Sequence, residues 1–191
     1  MKQGAVGFRV HSGWAAAVTL SGPQTSPVVE DRRRIELADG TPGSKQPYHA
    51  GEPLPLAEAE ALIERCRAST WNLARQGLDE IRRAHSIGAC GMLLAGGRPL
   101  PELDRILASH ALIHTAEGEF FRQAITAVSR EFGLPVRTVK ERELLDTCCV
   151  ELRLSPTELL ERLTDWGRTM GPPWRQDEKY ASLVAWLALP R

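Results

Sequence analysis

The opening of the chain constrains its fold more than any other stretch. Gly4 to Val10 alternates: if extended, it places Val6, Phe8 and Val10 on one face and Ala5, Gly7, Arg9 and then His11 on the other. Ser12-Gly13 supplies a tight turn, and Trp14 to Leu20 forms a second strand-like run that ends at Ser21-Gly22-Pro23. Pro27 to Leu37 starts with two valines and finishes on the alternation Arg34/Ile35/Glu36/Leu37, the pattern of an outer strand with one wet face. Three consecutive antiparallel strands are therefore expected, and the remaining elements must stack on them.

Residues 38–53 carry no apolar period and read as a surface loop holding Tyr48 and His49. A long helix follows, with Leu62, Cys66, Thr70, Leu73, Gly77 and Ile81 recurring every three or four residues, acids early and Arg82 and Arg83 late. Ala89 to Ala95 is a continuous apolar run ended by Gly96-Gly97, as in a parallel strand covered on both faces. Pro101 opens a short helix. Thr115 to Phe132 is a helix with Phe121, Ala124, Ile125, Val128 and Phe132 on one stripe and Gly133 as its cap. Leu134 to Val139 reads as a strand, Lys140 to Val150 as a short helix, and Ser155-Pro-Thr-Glu158 as the capping box of another. Gly171-Pro-Pro breaks the chain before a final helix, Asp177 to Leu189.

With 191 residues, one domain spanning 1–191 is expected to bury its own core. Its 24 Lys and Arg balance 24 Asp and Glu, so no global field draws it to nucleic acid or to an anionic membrane. Any partner, whether nucleic acid or protein, must be held locally, and no membrane is implied. Cys66, Cys90, Cys148 and Cys149 include no C-x-x-C pair, which suits reduced thiols in a cytoplasmic protein better than a zinc site or a disulfide framework.

Antiparallel strands followed by alternating helix and strand imply an α/β protein: a mixed sheet with helices on both faces. The order resembles the ribonuclease H-like fold, and at residue level it is similar to RuvC-type Holliday-junction resolvases. Val6-Gly-Phe-Arg-Val-His-Ser12 resembles their opening pattern of apolar, Gly, apolar, Asp, Pro, Gly, Ser. Phe121 to Val139 resembles their penultimate helix and last strand, and Asp177-Glu-Lys-Tyr-Ala-Ser-Leu-Val-Ala-Trp186 their final helix. The resemblance implies a five-stranded sheet of order 3-2-1-4-5 with strands 1–3 antiparallel. It also implies two divalent ions held by carboxylates on the first strand, at the end of the fourth and on the last helix. Here the first position is Arg9, the second falls near Ala95 or Gly96, and Asp177 alone keeps its acid. A fixed positive charge about 4 Å from a divalent ion would repel it by roughly 8 kcal/mol at an effective dielectric near 20. The resemblance therefore implies the scaffold without the family's two-metal chemistry.

Several polar groups are candidates nonetheless. His114 and Glu117 share a helical face, as two metal ligands would, with Glu119 and Arg122 beside them; the competing assignment is a helix start with Thr115 as N-cap. Asp177 and Lys179 open the last helix, where an acid also serves the dipole. Arg9 and His11 could bind an anion, although a pairing of Arg9 with Asp177 inside the former cleft is favoured. Trp174 and Trp186 read as anchors and Arg32-Arg33-Arg34 as a solvated edge.

The expectation is thus an inactive ribonuclease H-like scaffold, a pseudoenzyme acting as a binding or assembly module, with no cofactor and no assigned metal ligands. Arg9, His11, His114 and Lys179 are its candidate binding residues. The rival is a hydrolase or nuclease that rebuilt its site from Glu117, Glu119 and Asp177, and it alone would need Mg²⁺ or Mn²⁺.

Overall fold

The computed structural model describes residues 4–94 and 99–190. Its centre is a five-stranded sheet of order β3-β2-β1-β4-β5, built from β1 (Gly4–His11), β2 (Trp14–Ser21), β3 (Val28–Glu36), β4 (Ile87–Leu94) and β5 (Val136–Lys140). The first three strands pair antiparallel, Phe8 opposite Ala17 and Ala17 opposite Arg33, and β4 and β5 continue the sheet in parallel. This is the order that the resemblance implied.

Alternation along β1 divides the core in two. Val6 and Phe8 point to the face covered by α2 (Leu56–Ala84) and α4 (His110–Glu131), where they meet Ile63, Leu78, Ile81, Phe121, Ile125 and Val128. Ala5 lies on the other face, with Val18 and Leu20 of β2, under α5 (Leu144–Leu152), α6 (Pro156–Met170) and α7 (Gln176–Ala188). α4 ends on Gly133, whose φ of +70° suits a residue without a Cβ and lets the Leu134 N–H reach the Ser129 carbonyl. The Ser155 capping box opens α6, its hydroxyl accepting from the Glu158 N–H while the Glu158 carboxylate accepts from the Ser155 N–H.

The seat of α7 is the feature that positions the cleft. Gly7 and Gly91 are neighbours across the β1–β4 pair, and α7 lies directly over them. A Cβ added at Gly7 would sit 2.0 Å from the Ala181 carbonyl oxygen, and one at Gly91 2.1 Å from that of Val184. Only bare backbone lets a helix approach a sheet this closely. Asp177, one turn before Ala181, is thereby carried toward Arg9, two residues beyond Gly7 on the same face of β1.

Three local departures from the sequence expectation have physical causes. The stretch 38–53 contains a short helix, α1 (Pro47–Gly51), with proline in its first turn. The acceptor for its first N–H groups is Glu117 on α4, 69 residues from Tyr48, so nothing local announced it. α4 starts at His110 after Ser109, one turn earlier than Thr115, whose hydroxyl instead bonds the Ala111 carbonyl inside the helix. The three arginines of β3 are engaged, Arg32 and Arg33 half-buried and Arg34 exposed. Arg32 donates to the Gly171 carbonyl at 2.8 Å and to those of Pro172 and Pro173 in the loop before α7, Arg33 pairs with Asp31, and Arg34 lies 3.9 Å over the Trp14 ring. Between α3 (Leu103–Leu107) and β4 lie residues 95–98, so the Gly96-Gly97 strand end falls outside the described residues.

Candidate functional site

The carboxyl ends of parallel strands and the start of a helix over them form the usual crevice of an α/β sheet. Here it gathers Arg9 and His11 from β1, Glu141 from the turn after β5, and Asp177 from the first turn of α7. The Arg9 guanidinium is 15% exposed; it donates to Asp177 Oδ1 at 2.7 Å through Nη1 and to Glu141 Oε1 at 2.8 Å through Nη2. Its charged plane also lies 5.1 Å from the Tyr180 ring centroid. His11 Nε2 is 2.8 Å from the same Asp177 oxygen, and its ring stacks on Trp14 with centroids 4.4 Å apart.

These contacts show how the acids at the start of α7 divide their work. Glu178 accepts from the Arg175 N–H at 2.7 Å and so serves the helix terminus. Asp177 is left for the ion pairs. Lys179 is half-buried in the next positions of α7 and forms no ion pair among the described residues. The acid position expected near Ala95 or Gly96 lies outside the described residues. Glu141 was missed because it sits at the start of a segment that reads as helix; the usable signal was its place immediately after a parallel strand.

The other candidate acids lie elsewhere in the hydrogen-bond network. Glu119 accepts from Arg122 at 3.0 Å, one turn along α4. Glu117 is 3% exposed, and its Oε1 accepts from the Tyr48 N–H at 2.8 Å and the His49 N–H at 3.0 Å, with His49 Nδ1 at 3.3 Å. Burial pushes its carboxyl above the usual range, opposed by the bonds from α1. Glu117, Glu119 and Asp177 thus have three separate sets of partners.

Among the described residues, the His, Cys, Asp or Glu side chains close enough to share one ion are His49, His110 and His114, with one donor atom from each within 4.8 Å of the others. His114 was a sequence candidate; its companions were not. The spacing His110-x-x-x-His114 was a legible signal, since residues i and i+4 face the same way on a helix. His49 was hidden by the loop reading.

No family model matches the chain, and no curated protein matches it in sequence. Solved structures do. RuvC of Thermus thermophilus in complex with a Holliday junction substrate superposes with a TM-score of 0.55 at 9% identity, covering 96% of this chain and 90% of that one. A second Thermus thermophilus RuvC structure gives 0.54 at 10% identity, covering 96% and 92%. The chain therefore shares the fold of these RuvC structures, with a mixed five-stranded sheet of order 3-2-1-4-5.

Proposed function

We propose that this chain is a ribonuclease H-like binding or assembly domain in which two-metal nuclease chemistry has been replaced by a charge-neutralised cleft. The observation that carries the reading is Arg9, which holds both Asp177 and Glu141 where the RuvC-type pattern implies a metal-binding acid on the first strand. A divalent ion bound to Asp177 would lie about 4 Å from the guanidinium, which would repel it by roughly 8 kcal/mol at an effective dielectric near 20. His11 draws on the same Asp177 oxygen, so that acid is doubly engaged. Arg9 and His11 are both engaged with Asp177 in the cleft, and Lys179, two residues further along α7, forms no ion pair among the described residues. No helix among the described residues is long and apolar enough to cross a membrane.

The structural neighbour captured with a Holliday junction makes a four-way DNA junction the first ligand to offer. Cleavage of a labelled junction in Mg²⁺ or Mn²⁺ and calorimetric titration of both ions test the reading together. The expected outcome is neither cleavage nor micromolar ion binding. Micromolar Mn²⁺ affinity with junction cleavage, both lost in Asp177→Asn, would overturn it.

A further inference from the structure

We propose that His49, His110 and His114 form a binding site for a divalent transition-metal ion, zinc foremost, with Glu117 as the buried carboxylate that orients His49. The site goes beyond the reading of the cleft and shares no residue with it.

The three rings converge from two elements. His110 and His114 are one turn apart at the start of α4, with Nε2 atoms 3.1 Å apart, and His49 reaches in from α1. Their ring planes meet at 65° to 84°, with centroids 4.5 to 5.5 Å apart, so the rings point edges toward a common space instead of stacking. Tetrahedral zinc with Zn–N bonds of about 2.0 to 2.1 Å needs ligand nitrogens about 3.4 Å apart. The His110–His114 separation of 3.1 Å is close to that spacing, and the donor atoms of all three rings lie within 4.8 Å of one another. An all-imidazole set favours zinc, nickel, cobalt or copper over magnesium or manganese, which prefer oxygen.

Glu117 supplies the part that a chance surface cluster would lack. Its Oε1 lies 3.3 Å from His49 Nδ1, the carboxylate–histidine arrangement that fixes a ligand ring and raises its basicity, leaving the other ring nitrogen to bind the ion. The same oxygen ties down the backbone of Tyr48 and His49, so His49 is held by its main chain as well as its ring. The second oxygen, Oε2, is buried without a hydrogen-bond partner. His110 and His114 are solvent-exposed, so the fourth coordination position faces water. Three histidines and an open position are the ligand set of zinc sites that activate a water molecule.

The test uses the untagged full chain, stripped with a chelator and titrated with Zn²⁺ against a chromophoric competitor. Co²⁺ serves as a spectroscopic probe of tetrahedral nitrogen ligation. One equivalent of Zn²⁺ is expected to bind and to raise the melting temperature, because the ion bridges α1 and α4 only when both are folded. His114→Ala and His110→Ala should each weaken binding by at least about 100-fold, and Glu117→Gln by about 10- to 100-fold. Both histidines are exposed, so circular dichroism of these variants should match the parent. Zinc binding that is absent in the parent, or equal in the parent and His114→Ala, overturns the site. Full affinity in Glu117→Gln overturns the role given to Glu117. The cleft reading is probed with Mg²⁺, Mn²⁺ and Asp177→Asn, so the two can fail separately.

Discussion

The cleft around Arg9 and the cluster around His114 both place histidine beside a carboxylate, yet they are prepared for opposite things. In the cleft a permanent cation consumes the acids: Asp177 answers to Arg9 and His11 together, and Glu141 to Arg9. In the cluster one oxygen of the acid is taken by backbone N–H groups and one ring nitrogen, no arginine or lysine pairs with Glu117 among the described residues, and three imidazoles converge with no fixed cation between them. Residue type alone does not make an ion site. What decides is whether a fixed positive charge is already there.

The contrast is broken or sharpened by perturbing each region alone. The largest effect is expected at Gly7→Ala, which drives a methyl into the Ala181 carbonyl and the Ala185 N–H. It should cost about 3 kcal/mol, lowering the melting temperature by roughly 6 to 12 °C in a chain of this size. If the regions are independent, the variant that still folds keeps the zinc response of the parent. A parallel loss of that response would join the two.

Next comes Glu117→Ala, which strands the N–H groups of Tyr48 and His49 and should destabilise by about 2 kcal/mol. Glu117→Gln keeps an acceptor oxygen and should cost less, which paired denaturant melts would show. A smaller term is expected for the cleft itself. A double-mutant cycle over Arg9→Met and Asp177→Asn should return a coupling of about 1 kcal/mol, modest because Asp177 is partly exposed and screened by water. Zero coupling would count against the ion pair that carries the proposed reading of the cleft. The smallest perturbation is chemical: burial pushes the thiols of Cys90 up to about 11 and of Cys148 up to about 12, and Cys66 upward as well. Mass spectrometry after brief alkylation near neutral pH should find the half-buried Cys149 modified first.

How much could be read before any coordinates depends on how local the cause was. The hairpin and the helix caps at Gly133 and Ser155 were legible because alternation, turn residues and capping boxes act within a few positions, whereas the strand order came from the family pattern. The pairing of Arg9 with Asp177 was legible through the family pattern, although 168 residues separate them. α1 was not, because the carboxylate that caps it belongs to another helix. For the same reason His49 stood apart from His110 and His114: Glu117 faces the incoming helix, Glu119 faces Arg122, and the ring partners of His114 lie one turn before and far upstream.

The contact of α7 with paired glycines has a consequence for how such a scaffold changes its chemistry. The distance between helix and sheet is fixed main chain to main chain, so exchanging side chains at the mouth of the cleft leaves the walls where they were. An architecture of this kind can lose an ion and gain an internal neutralising charge at the same address, keeping its outward shape for whatever docks there.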